Sequence, residues 1–303
     1  MAGFAPFGFW PLPILSLAVL FATLWRTDAL RTGFALGFAW GMGFFLAGVS
    51  WVFVSLHVYG GMPVWLAGLA TLLFCAFLAL FPAAAGAFAT RIPNPTTRLL
   101  LALPLAWSVS EWVRGWIFTG FPWLVAGYSQ VPASPLAGFA PVIGVYGIST
   151  LLAFCAALAV WLLHAHRTLA DRLWAAGALA ALMLLGLGLH GIDWTTPDGA
   201  PTSVALLQGN VPQDMKWQPE VTRETLALYA RLAAASPARL IVLPETALPI
   251  FESDLPDFYR DGLTELGRRN GGDVLFGLPA EALSGAYYNS VISLGTAPGQ
   301  RYS

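Results

Sequence analysis

Two hydrophobic patterns divide this chain. Up to about residue 190, apolar residues run on without the polar punctuation of a water-facing helix. Stretches at about 5–25, 33–56, 63–89, 97–112, 136–163 and 173–190 approach the roughly 20 residues that cross the hydrocarbon core of a bilayer. Five of them contain no Asp, Glu, Lys or Arg, whereas the fourth carries Pro104, Ser108, Ser110 and Glu111 and is the weakest. Gly33, Gly37 and Gly41 recur at helical spacing, the small-residue stripe that lets helices approach closely in lipid. A large buried soluble core is the competing explanation, and stretches this long and unbroken disfavour it.

From Thr202 the period changes. S-V-A-L-L-Q-G-N (203–210) reads as a strand, and residues 220–235 as an amphipathic helix with Val221, Leu228 and Leu232 on one side. A-R-L-I-V-L (238–243) is a second strand, and residues 255–269 a second helix, stopped by Asn270-Gly271-Gly272. Strands follow at 273–278 and 287–295. Strand and helix in alternation predict an α/β layer with partly parallel pairing.

Charge sharpens the division. Residues 1–190 hold seven Arg, no Lys and three acids, while residues 191–303 hold eight basic and thirteen acidic residues. Only 10% of the whole chain is charged and the mean hydropathy is +0.67, against about a quarter charged in soluble domains. The expected organisation is a transmembrane helical domain over 1–190 and an extracytoplasmic domain over 191–303. A net charge of −1 and the lack of any basic run argue against nucleic acid as a partner.

The arginines also orient the chain. Arg26 and Arg31 flank the first loop, Arg91 and Arg98 the third, and Arg167 and Arg172 the fifth. The second loop, 57–62, has no Lys or Arg, and the fourth has Arg114 alone. The positive-inside rule puts the odd loops in the cytoplasm and everything after the sixth span outside. That parity leaves Met1 outside with no charge to justify it, so either the chain inserts with its N-terminus outside or, as expected here, a further helix precedes it.

Candidate chemistry concentrates beyond the carboxyl ends of the predicted strands, where open α/β sheets gather functional groups. Gln208 and Asn210 follow the first strand, Glu245 the second, and Gly277 to Pro279 the third. The Pro244 before Glu245 and the apolar runs around L-P-E-T-A-L-P make a plain solvated surface Glu a poorer explanation than a general base. Elsewhere the bland readings prevail. His57, His190, His164 and His166 have no ligand set around them, and Cys75 and Cys155 lie mid-span as small hydrophobes. The fourth loop, 111–130, holds three Trp, a Tyr and two Phe. An interfacial aromatic belt explains most of it. Glu111 and Arg114, one turn apart, are placed to pair, which would make the loop a built surface for lipid headgroups.

Three motifs then carry a resemblance. V-A-L-L-Q-G-N-V-P-Q…K-W, L-P-E-T-A-L-P and Y-Y-N-S-V-I-S-L-G resemble the carbon–nitrogen hydrolase (nitrilase) superfamily, and more narrowly its membrane branch, the apolipoprotein N-acyltransferases. The 111–130 loop resembles that branch too. The resemblance implies a membrane α-helical bundle of about six spans followed by a partial α/β, nitrilase-like αββα domain. It implies a Glu–Lys–Cys triad with Glu245 as general base, no cofactor, and Trp217, Tyr288 and Asn289 lining the substrate site. The implied reaction passes an acyl chain from a phospholipid, through a Cys thioester, to the N-terminal amine of a diacylglyceryl apolipoprotein. Its implied place is the inner membrane of a bacterium, with the α/β domain on the periplasmic side.

The sequence departs from that pattern in one respect. No Lys follows Glu245, Lys216 stands before it in the wrong motif position, and no Cys occurs after residue 190. By the resemblance, the Lys and Cys are expected beyond Ser303, the chain is a fragment, and as written it is inactive. A membrane-tethered amidase using the same triad, or a non-catalytic membrane scaffold or transporter, are the alternatives. Against transport, the strong spans carry no ionisable residue of the kind that marks a substrate path.

Overall fold

The computed structural model describes all of the chain except residues 165–167, 214 and 282–284, so His166 and Arg167 lie outside the described residues. Contacts divide the chain into two compact units, Met1–Thr196 and Pro197–Ser303.

The regular elements described in the first unit are all helical. Helix α1 spans Pro11–Trp25 and α2 Leu30–Val49; a short α3 (Trp51–Val54) runs into a π-helical turn, Ser55–Tyr59. Helix α4 spans Val64–Ala89. Helix α5 (Pro95–Thr97), a π-helical stretch (Arg98–Ala102) and α6 (Leu103–Arg114) follow one another without a gap. Helix α7 (Ala140–Leu163) and α8 (Leu169–His190) complete the unit. Among the described residues, four helices are long and apolar enough to cross a membrane: Leu30–Val49, Val64–Ala89, Pro135–Leu163 and Leu169–His190. The first predicted span is the shorter apolar helix Pro11–Trp25. The fourth is the α5–α6 composite, in which Pro104 opens α6 and removes one backbone donor at the change of helix type.

The glycine stripe does what its spacing predicts. A Cβ on Gly33 would lie 2.9 Å from Gly86 O, one on Gly37 2.8 Å from Ala83 Cα, and one on Gly41 3.0 Å from Ala79 Cα. Helices α2 and α4 therefore meet backbone to backbone, which only glycine permits there. Leu17, Phe21 and Leu24 of α1 pack with Leu99, Leu103, Ile148 and Leu152 in the centre. Large apolar side chains such as Leu73, Leu184 and Leu185 face outward. A surface of that kind suits lipid and not water.

Arg98 fastens the loops at one end of the unit. Its Nε donates to Ile92 O at 2.9 Å, and its Nη1 to Trp25 O at 3.1 Å and Thr27 O at 2.9 Å. Its Nη2 pairs with Asp28 at 2.8 Å. A guanidinium can serve four acceptors in a buried position because its donors fan out in a rigid plane.

The second unit is a mixed five-stranded sheet with two helices. Strands β1 (Val204–Leu206), β2 (Leu240–Val242) and β3 (Asp273–Glu281) pair in parallel, with α9 (Pro219–Ala234) and α10 (Asp257–Arg269) as the crossovers. Strand β4 (Tyr287–Gly295) pairs antiparallel with β3, and β5 (Gln300–Tyr302) antiparallel with β4. Strand β1 is shorter than the sequence predicts, β3 runs three residues longer, and β5 has no sequence signal.

One face of the sheet is covered. Ile241, Val274, Phe276, Leu278, Ile292 and Leu294 pack with Leu263 and Leu266 of α10 and with Tyr229 and Ala233 of α9. The stripe that α9 buries is Thr225, Tyr229 and Ala233, whereas Val221, Leu228 and Leu232 are only half-buried. The helix is turned because the Tyr229 ring fills the space above Gly209, where a Cβ would lie 2.7 Å from it.

Candidate active site

Glu245 sits on a tight turn at the carboxyl end of β2. Leu243 N–H still donates to Leu275 O at 2.8 Å, continuing the ladder for one residue past the strand. Ala247 N–H then donates to Pro244 O at 3.1 Å, closing a four-residue turn with Glu245 and Thr246 at its centre. Thr246 has φ +47°, a left-handed conformation that a β-branched residue adopts only under constraint. Strand β3 runs directly beneath. A Cβ on Gly277 would fall on Thr246 N and 3.1 Å from both Cα and the carbonyl carbon of Glu245. Leu248 N–H donates to Gly277 O at 3.2 Å, so strand and turn are stitched at their closest point.

The Glu245 side chain is exposed, not half-buried as its apolar neighbours suggest. Those neighbours, Leu243, Ala247 and Leu248, carry the burial on either side of it. Its Oε1 accepts a short hydrogen bond from Asn289 Nδ2, and Asn289 Oδ1 in turn accepts from Thr246 Oγ1 at 3.0 Å. Lys216 Nζ donates to the Glu245 backbone carbonyl at 3.4 Å. Loss of solvent draws the Lys216 ammonium below its ordinary pKa, and the nearby Glu245 carboxylate acts in the opposite sense. Beside the turn lies a cavity of about 130 Å³ lined by Gln208, Asn210, Lys216, Thr225, Tyr229 and Glu245. Asn210 also has positive φ, at +53°. Gly209 N–H donates to Tyr229 Oη at 3.3 Å, which ties the loop after β1 to α9.

Of the residues proposed from sequence, Glu245 and Asn289 touch. Gln208 and Asn210 join Glu245 around the cavity, while Gly277 to Pro279 lie inside β3 instead of beyond its end. Trp217 is 57% exposed and is not among the residues lining the cavity. Tyr288 is also exposed, and strand alternation turns it to the face opposite Asn289. Thr246 and Thr225 escaped sequence reasoning. For Thr246 the available signal was its place immediately after a carboxylate in a Pro-initiated turn.

The aromatic loop of the first unit is built, though not by the predicted ion pair. Glu111 and Arg114 form no salt bridge; each holds backbone of the loop between them and α7. Glu111 Oε1 accepts from Ala126 N–H at 2.9 Å, and Arg114 Nη1 donates to Phe121 O and Trp123 O, both at 2.6 Å. Both side chains are buried, and each finds its hydrogen-bond partner in the folded-back chain. The Arg114 guanidinium also lies over the Phe45 ring, 5.3 Å from its centroid. Phe121 stacks on Trp123, while Trp112, Trp116, Phe118 and Tyr128 stay exposed. Cys75 and Cys155 are fully buried.

Comparison with known proteins bears on both units. The family model "Apolipoprotein N-acyltransferase N-terminal domain" matches residues 1–158. A curated relative named apolipoprotein N-acyltransferase from Nitrosomonas europaea is 48% identical over 309 residues, covering 100% of this chain and 60% of the relative. One of the same name from Chromobacterium violaceum is 44% identical, covering 96% of this chain and 56% of the relative. Another from Vibrio cholerae is 36% identical, covering 99% and 58%. The chain thus spans about 60% of the length of the curated relatives it matches. The amidase and scaffold alternatives find no support among them.

Proposed function

The chain belongs to the apolipoprotein N-acyltransferase family, and from that premise we propose that the complete protein N-acylates lipoproteins at a membrane. In this reading a fatty acyl chain leaves a phospholipid, rests on a Cys as a thioester, and passes to the terminal amine of a diacylglyceryl-cysteine. The observation that carries the reading is the Glu245 carboxylate, held by Asn289 on a turn at the carboxyl end of a parallel strand.

Glu245 takes the thiol proton, and the thiolate attacks the phospholipid ester carbonyl. The ester C–O bond breaks, and the departing lysophospholipid alkoxide receives the proton from Glu245. In the second half-reaction the acceptor amine attacks the thioester. Glu245 removes the amine proton, and the thiolate leaves and is reprotonated. A lysine ammonium beside the tetrahedral oxyanion would lower both barriers. We assign the thiol and that lysine to the protein outside residues 1–303, and read Cys75 and Cys155 as packing residues.

The finer architecture follows the same reading. The six apolar helical segments each span the bilayer, and residues 191–303 belong to a nitrilase-like αββα domain on the periplasmic side of a bacterial inner membrane. The arginine-rich odd loops and bare even loops support that orientation. Trp217 and Tyr288 are assigned to substrate contact from the resemblance, and both are exposed enough to meet it.

The test is acyl-enzyme formation by the complete protein in detergent, given a phospholipid with a radiolabelled acyl chain. Glu245→Gln should abolish the labelled band while expression holds, and Cys75→Ala and Cys155→Ala should leave it. An undiminished band in Glu245→Gln rules out the base assignment.

A further inference from the structure

We infer that Thr246 is a positioning residue whose hydroxyl sets the orientation of the Asn289 amide and, through it, of the Glu245 carboxylate. The inference rests on the base assignment above and adds to it the group that holds the base.

Donor and acceptor accounting fixes the direction of each bond. An ionised carboxylate only accepts, so Asn289 must present its NH₂ to Glu245 Oε1. The amide oxygen then faces Thr246, and the Thr246 hydroxyl must spend its single proton on it, at 3.0 Å. With that proton in place, the opposite amide orientation would set a carbonyl oxygen against the carboxylate and leave the hydroxyl facing an NH₂. The carboxylate thus selects the amide state, and the Thr246 hydroxyl, donating to the amide oxygen, braces that amide at the angle from which it holds Glu245.

The backbone is arranged to aim that hydroxyl. Thr246 is half-buried and left-handed at φ +47°, a conformation that costs a β-branched residue strain and that glycine would adopt freely. The strain persists because the turn is closed by the Ala247–Pro244 bond and stitched to β3 by the Leu248–Gly277 bond. Gly277, with no Cβ, leaves room for Thr246 N to pass close by. A turn needing positive φ ordinarily takes Gly or Asn at this place, and neither carries a hydroxyl.

The experiment compares Thr246→Val, Thr246→Gly and Thr246→Ser in the complete protein, reading thioester formation with the labelled phospholipid, KM for that phospholipid, and melting temperature. Thr246→Val and Thr246→Gly should each slow thioester formation about fivefold or more, the factor one ordinary hydrogen bond represents. KM should hold, and Thr246→Ser should restore the rate. The glycine variant relieves the backbone strain, so it should melt no lower than the parent and still be slow. In a double-mutant cycle, Thr246→Val should add nothing to Asn289→Ala, because the hydroxyl acts only through that amide. A wild-type rate in Thr246→Gly, failure of serine to rescue, or multiplicative losses in the cycle would each overturn the inference. If Glu245→Gln keeps the thioester, the base assignment falls instead; if it loses the thioester while Thr246→Gly is normal, only the role of Thr246 falls.

Discussion

Replacing Gly277 by alanine tests the closeness of strand and turn on which the site depends. The added Cβ would land on Thr246 N and stand 3.1 Å from two backbone atoms of Glu245, whereas unstrained carbon contacts lie at about 3.5–4.0 Å. None of these neighbours is a side-chain end that could swing away. Strand and turn must part by several tenths of an ångström, and the Leu248–Gly277 bond lengthens with them. Overpacking of this kind costs about 1–3 kcal/mol. Displacement of a catalytic group on the ångström scale costs up to about 100-fold in rate. We therefore expect Gly277→Ala to lower the denaturation midpoint modestly and acyl-enzyme formation by about one to two orders of magnitude. Gly262→Ala in α10 is the internal control. Its Cβ would meet nothing within 4 Å, and alanine gains roughly 1 kcal/mol over glycine within a helix. Acyl-enzyme formation at the parental rate in Gly277→Ala would refute the claim that the backbone of β3 sets the position of Glu245.

Two further outcomes follow from other parts of the molecule. Arg98→Lys keeps the charge but leaves one nitrogen to serve acceptors on Trp25, Thr27, Asp28 and Ile92, and should cost about 2–3 kcal/mol, read as a lowered melting temperature in detergent. The Tyr259 hydroxyl donates to Leu226 O at 2.9 Å, and burial, helped by Tyr229, pushes its pKa up to about 12. A raised pKa means stability that is whole below the unfolded value near 10 and is lost as pH climbs through about 12. Tyr259→Phe should lack that alkaline loss, and the last tyrosinate step in an ultraviolet titration should vanish with it.

Much of this protein is local in origin, and that much is legible in one dimension. Long uncharged apolar runs can satisfy their backbone only as helices in lipid, so the helical segments of the first unit follow from composition and length. The period change at Thr202 and the Asn-Gly-Gly stop likewise announce α9, α10 and the main strands. Gly33, Gly37 and Gly41 announce a close helix contact, although only the fold says that α4 is the partner. The edge strand β5 could not be read, because three exposed residues carry no period and owe their extension to pairing with Val291–Ser293.

The site divides in the same way. Glu245 could be singled out because a carboxylate between apolar runs at a strand end breaks the local pattern. Its exposure, its bond to a side chain 44 positions away and the left-handed Thr246 between them could not be read. They arise where β2, β3 and β4 come side by side, and contacts between strands far apart in sequence leave no local trace. Glu111 and Arg114 make the same point: their helical spacing predicted a pair, but each finds its hydrogen-bond partner in the loop that folds back to α7. What the sequence determines here is which segments form helices and strands and which residue types stand at their ends. Which of those ends meet, and so which group orients the carboxylate, is decided only by the tertiary structure, because side-chain hydrogen bonds depend on distances in space that chain order does not encode.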